Sequence, residues 1–190
     1  MFIEGAITIC PFFHFKVFKR RRGLKTIETE RLLLRQMTVG DAGFILELMN
    51  EPGWLEFIGN TTVKTLDDAE NYISNRLASL VDGPGFAVVV LKETQVAIGV
   101  SSLIKRDYLP DVDIGYAFLA AYHQQGYAFE AAFAVLNHAQ DVLGMKRIIA
   151  VTDLDNQRSA KLLDKLGLKF ESTVIYPKDG SELNVFGINF

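Results

Sequence analysis

The residues best suited to chemistry lie at 123–128, His123-Gln124-Gln125-Gly126-Tyr127-Ala128, where a glycine meets the first turn of an alanine-rich helical pattern. The first turn of a helix carries N–H groups without intrahelical partners and a partial positive charge. A strand that feeds through a tight glycine loop into such a turn makes an anion cradle, most often for phosphate. Gly126 has no Cβ, so a phosphate can approach the N–H groups of Gln125, Gly126, Tyr127 and Ala128. Ala128 keeps the second close approach small. A glycine that merely turns the chain explains the same residues taken alone. No Gly-Lys-Ser/Thr follows, and the dinucleotide pattern Gly-x-Gly-x-x-Gly is absent. A second cluster follows at Asn156 and Ser159, spaced as a helix N-cap and a residue pointing back along the same face.

Both clusters need elements to hold them. Segment 30–37 reads as a strand, with Thr38 and Asp41 at the cap spacing of a helix. That helix carries Ala42, Ile45, Leu46 and Met49 on one face and stops at the Pro52-Gly53 breaker. Asp67 opens a second helix with Ala69, Ile73, Leu77 and Leu80 at helical spacing, ending near Gly83-Pro84-Gly85. Runs 86–91 and 96–104 form a hairpin, and 112–119 is the next strand. A helix over 125–143 turns Phe129, Ala132, Phe133, Leu136, Ala139 and Leu143 inward and closes at Gly144. Segment 147–152 is an apolar strand suited to burial on both faces. A short helix after Asn156 carries Ala160, Leu163 and Leu166 and ends at Gly167. Strands over 168–176 and 182–189 flank a Pro-Lys-Asp-Gly turn. The predicted order is β-α-α-β-β-β-α-β-α-β-β, one α/β domain over 26–190 behind a basic and apolar extension, 1–25.

The chain has 190 residues, 49% of them hydrophobic and 23% charged, which suits one domain with a sizeable core. No apolar run reaches the roughly 18 residues that span a bilayer. The single cysteine, Cys10, excludes an intrachain disulfide and fits a reducing, cytoplasmic setting. Three scattered histidines with no Cys/His cluster argue against a metal site. The net charge of −3 is unevenly placed: Lys16, Lys19, Arg20, Arg21, Arg22 and Lys25 face only Glu4 in the first 25 residues. The rest carries 14 basic and 22 acidic side chains, a net of −8, a poor surface for DNA and a good one for cationic substrates. The basic segment 15–25 invites RNA or membrane contact, and a solvated leader or an over-extended start is the plainer, preferred explanation. Its positive charges follow the apolar stretch, unlike those of a signal peptide.

Segment 123–128 resembles the acetyl-CoA motif of the GNAT acetyltransferase superfamily, Gln/Arg-x-x-Gly-x-Gly/Ala, with His123 departing at the first position. Three more stretches agree in order and spacing. Residues 29–35, TERLLLR, are similar to the opening strand of the branch that includes bacterial ribosomal-protein N-terminal serine and alanine acetyltransferases. Residues 113–131 look like its strand, loop and helix. Residues 156–172 are similar to its Asn-x-x-Ser…Gly-Phe segment, with Leu168 in place of Phe. The resemblance covers about residues 26–190. It implies a mixed, mostly antiparallel sheet with helices on both faces, and a protein N-terminus as acetyl acceptor. A small-molecule amine such as a polyamine, aminoglycoside or amino acid is the alternative, as is a non-catalytic CoA-binding module. A homodimer stays open.

The resemblance also distributes roles. Backbone groups of Phe118 and Ala120 would bind the thioester, an oxyanion role needing no side chain. Asn156 would contact pantetheine and Ser159 would protonate the departing thiolate; Lys161 has the reach for CoA phosphates, with a solvated helix lysine as the plainer reading. Asp113 matches the acid of the branch's Glu-Ile-Gly-Tyr strand and is the first base candidate, ahead of Asp111. Glu130 would serve its helix N-terminus. Tyr116 and Tyr127 read as packing residues, and Trp54 as a pocket wall or buried anchor. The acceptor pocket would come from about 50–65 and the 176–182 turn. A lysine amine costs roughly 4.6 kcal/mol to deprotonate at pH 7, an α-amine only about 1. Cys10 lies outside the matched domain, so direct transfer in a ternary complex is expected, not an acyl-cysteine route.

Overall fold

The structure, a computed structural model, describes residues 26–59, 61–79 and 85–190. The extension 1–25 and Leu80 lie outside the described residues. The elements run β1 (Ile27–Glu28), β2 (Leu32–Gln36), α1 (Ala42–Met49), α2 (Pro52–Phe57), α3 (Leu66–Ser79), β3 (Gly85–Leu91), β4 (Ala97–Lys105), β5 (Val112–Phe118), α4 (Tyr127–Asp141), β6 (Arg147–Asp153), α5 (Gln157–Lys165), β7 (Lys169–Ile175) and β8 (Glu182–Asn189). The predicted order stands, with β1 and α2 added. Among the described residues no helix is long and apolar enough to cross a membrane.

All eight strands join one sheet in the order β1-β2-β3-β4-β5-β6-β8-β7. Strand alternation sorts the core into two faces. Ala87 and Val89 of β3 face a cluster with Ala131, Val135 and Leu136 of α4 and Leu163 of α5. Phe86, Val88 and Val90 face the opposite way, onto Ile45 and Leu48 of α1 and Ala69 and Ile73 of α3. Every pairing is antiparallel except β5 with β6, which α4 connects by a crossover.

Three expectations change. Pro52 opens α2 and does not merely break α1, because a proline in a first turn has no N–H to lose there. Leu48 is buried where Leu46 was expected to be. Phe133 of α4 is 48% exposed, stacked on Phe129, while Ala131, Ala132 and Ala139 press the helix onto the sheet. Small side chains at the contact let the helix approach closely and rotate the large aromatic outward.

The start of α1 is held by Asp41, which is nearly fully buried. Its carboxylate accepts both terminal nitrogens of Arg35 at 2.8 and 2.7 Å, and the Thr38 backbone N–H at 2.8 Å. Burial alone would raise this carboxyl, but the hydrogen bonds from Arg35 and Thr38 outweigh it and hold Asp41 below its ordinary value. A depressed carboxylate stabilises the fold above its unfolded pKa and loses that contribution as pH falls through the lowered value. Asp41→Asn should therefore cost about 2 kcal/mol of unfolding stability at pH 7. The gap to wild type should close as pH drops below about 4. Urea titrations at both pH values check this, and an equal gap at each would refute the charge-based reading.

Candidate active site

After Phe118 ends β5, the chain makes a short 3-10 turn at Ala120–Tyr122 and enters α4 at Tyr127. Gly126 caps that helix with φ of +83°, a left-handed conformation that side chains with a Cβ adopt at a cost. Gln124, at φ +61°, helps turn the loop. The first N–H groups of α4 thus emerge at the end of a central strand, the geometry of an anion cradle. His123 does not extend toward the cradle. Its Nε2 lies 2.9 Å from the Phe118 carbonyl oxygen and ties the loop to the strand end. The Gln125 side chain donates to the Ala121 carbonyl at 3.0 Å, and Gln124 is exposed. Tyr127 and Ala128 are half-buried against the core beneath.

Glu130 does more than serve its own helix. It accepts hydrogen bonds from the Thr29 hydroxyl at 2.5 Å, the Arg31 backbone N–H at 2.9 Å and Arg31 Nε at 2.7 Å. Burial pushes its carboxyl up, but these donors outweigh that and hold it below its ordinary value. The start of α4 is thereby fastened to β1 and β2.

Beside the loop the sheet opens. β4 pairs with β5, and β6 with β8, over seven positions each, yet β5 and β6 share only Asp113 opposite Ile149. Toward their C-terminal ends the two parallel strands share no further pairing, and α5, packed on β6, reaches β5 there through Ser159. Tyr116 Oη of β5 sits 3.0 Å from Ser159 Oγ of α5. Burial pushes the Tyr116 phenol up to about 12 despite its bond to Ser159. Asn156 caps α5 by accepting from the Ser159 N–H at 3.0 Å, as its spacing predicts. Lys161 is exposed on the same helix. Phe118, at the mouth of the gap, rests its ring against Gly99, where a Cβ would collide with it.

Asp113 stands apart from this group. It is 1% exposed and ion-paired to Arg106 Nε at 2.9 Å. It lies five residues before Phe118, roughly 17 Å along the strand. Burial raises its carboxyl, with Arg106 offsetting part of the effect. Tyr108 and Tyr176 lie beside this pair, their rings tilted at 54° with centroids 5.5 Å apart. Asp111 is committed to Arg147 at 2.9 Å. The Ala120 N–H, expected to face a thioester, meets another acceptor: Glu51 Oε1 at 3.3 Å. Glu51 immediately precedes α2, and Trp54 of that helix is half-buried against the core cluster that includes Leu119 of the same strand end. Glu51 was missed in the sequence because it precedes an expected breaker. An acid directly before a proline at a helix start was the available signal.

A family model of the acetyltransferase (GNAT) domain matches residues 31–169, and the chain belongs to that family. It is an acetyl-CoA-dependent N-acetyltransferase. The uncharacterized N-acetyltransferase YoaA of Bacillus subtilis (strain 168) is 28% identical over 152 residues, 78% of this chain and 85% of its own. A GNAT-family acetyltransferase from Bacillus anthracis shares the fold with a TM-score of 0.74 at 23% identity, over 87% of this chain and 98% of that one. RimL, a ribosomal L7/L12 alpha-N-protein acetyltransferase in complex with coenzyme A, shares it with a TM-score of 0.74 at 15% identity, over 87% and 98%.

Proposed function

We propose that this enzyme acetylates a protein N-terminal α-amine, with residues 26–190 as its catalytic domain and Glu51 as the carboxylate that receives the amine's proton. Acetyl-CoA supplies the activated acetyl group. Its phosphates rest on the N–H groups of Gln125, Gly126, Tyr127 and Ala128, and its pantetheine enters the gap between β5 and β6 past Phe118 and Asn156. The observation that carries this reading is the pair of polar groups at the strand end. Ser159 approaches from the α4–α5 face of the sheet and Glu51 from the face of α1 and α2. As the amine nitrogen bonds to the acetyl carbon, its proton passes to Glu51. The carbon–sulfur bond breaks, and the sulfur departs as a thiolate to which Ser159 donates a hydrogen bond.

An α-amine asks little of such a carboxylate, since about 1 kcal/mol frees it at pH 7 against roughly 4.6 for lysine. The alpha-N-protein acetyltransferase among the structural neighbours supports the same acceptor class. Asp113, buried and paired with Arg106, holds the one parallel contact of the sheet and takes no proton in this scheme. Free-thiol release measured across peptides with open N-termini, polyamines and aminoglycosides tests the acceptor. Turnover on open peptides that vanishes when the N-terminus is blocked is the expected result. Turnover confined to polyamines or aminoglycosides would move the enzyme to small-molecule acceptors.

The phenol of Tyr116 stays protonated at neutral pH, and in this scheme it donates to Ser159 Oγ, leaving the serine hydrogen for sulfur. Tyr116→Phe should lower turnover about tenfold, the scale of one lost hydrogen bond. Its acetyl-CoA affinity should stay near wild type. A variant with full turnover would mean that Ser159 needs no such partner.

A further inference from the structure

We infer that Arg31, a residue of the β1–β2 turn distant in sequence from the loop, sets the orientation of the phosphate cradle. The inference rests on the cradle reading of residues 123–128 and is independent of the acceptor. Arg31 donates from Nε to Glu130 at 2.7 Å and from a terminal nitrogen to the Gln125 carbonyl at 3.0 Å. Its guanidinium carbon lies 4.5 Å from the Tyr127 ring centroid, which fixes the plane of the fork. The other terminal nitrogen lies 3.3 Å from where a Cβ at residue 126 would stand.

The carbonyl of Gln125 belongs to the same peptide as the Gly126 N–H, and in a trans peptide the two point in opposite directions. Holding that carbonyl toward Arg31 turns the Gly126 N–H outward, to the side a phosphate would take. This peptide is the loop's weak point. Flipping it requires new angles only at Gln125 ψ and Gly126 φ, and glycine tolerates either sign of φ. A flipped peptide would present an oxygen to the phosphate and repel it. Arg31 opposes the flip. It also draws the Glu130 carboxylate, an anion in the first turn of α4, back against β1 and β2 and offsets its charge. Lysine cannot do both, because a point ammonium lacks the fork that reaches Glu130 and Gln125 together.

Arg31 is thus a positioning residue, and its effect should appear only with phosphate-bearing ligands. Competition against a fluorescent CoA conjugate measures CoA and phosphate-free pantetheine on wild type, Arg31→Gln and Arg31→Lys. Folding is checked by circular dichroism. For Arg31→Gln the CoA dissociation constant should rise about tenfold, the scale of a charge-assisted hydrogen bond. The pantetheine constant should stay within about twofold of wild type. Arg31→Lys should behave like Arg31→Gln, and it carries the test if the glutamine variant does not fold. Parallel weakening of both ligands would reduce Arg31 to a prop for the fold, and full CoA affinity in Arg31→Lys would replace orientation with simple charge. Either overturns the inference. The cradle reading fails separately, if Gly126→Val binds CoA as wild type does.

Discussion

Gly126→Val should weaken CoA binding by about 10²-fold or more, the equivalent of two charge-assisted hydrogen bonds lost from the cradle. Two effects act together. Valine is strained at φ +83°, and its branched side chain would press on the Arg31 guanidinium that holds the Gln125 carbonyl, turning the Gly126 N–H away from phosphate. The first Cβ contact, Arg31 at 3.3 Å, is the end of a flexible side chain, so the domain can absorb the change. The strain should cost about 1–2 kcal/mol of stability, too little to unfold the protein. Calorimetric titration with CoA, with thermal unfolding as the control, reads both quantities. A folded variant with unchanged affinity would leave Gly126 as a turn residue only.

Glu51→Gln should lower turnover on an open-N-terminus peptide by roughly 10²–10⁴, the usual worth of a positioned base. The amide keeps the shape and can still accept from the Ala120 N–H, so CoA affinity should hold. Rate should recover in part as pH rises toward the α-amine pKa of about 8, where solvent supplies the neutral nucleophile. Asp113→Asn provides the contrast: it should disturb stability through Arg106 and leave the pH profile unshifted. If the Asp113 variant shows the rescue by pH and the Glu51 variant does not, the base assignment must be reversed.

What could be read from the sequence is what local chemistry decides. Gly126, Gly144 and Gly167 all take positive φ at helix ends, and Asn156 caps α5 through Ser159. These depend on neighbours within a few residues, so pattern and spacing expose them. The strands and hairpins follow from alternation and turn residues for the same reason. The rest depends on contacts between distant segments. Glu51 meets Ala120 across 69 residues, and Arg31 meets Gln125 and Glu130 across 94 and 99. Asp113 reads as an accessible strand carboxylate until Arg106 and the parallel neighbour β6 bury it. Phe133 has the spacing of a core residue, and only the packing of the smaller alanines turns it out.

The crystal structure of the full chain with CoA tests the central claim, that the thioester is held where β5 and β6 part. Pyrophosphate oxygens should lie about 3 Å from the N–H groups of residues 125–128, with the CoA sulfur about 3.5 Å from Ser159 Oγ. Glu51 should face the same point from the opposite side of the sheet. Pyrophosphate bound to another element, or a sulfur remote from both Ser159 and Glu51, would contradict the site.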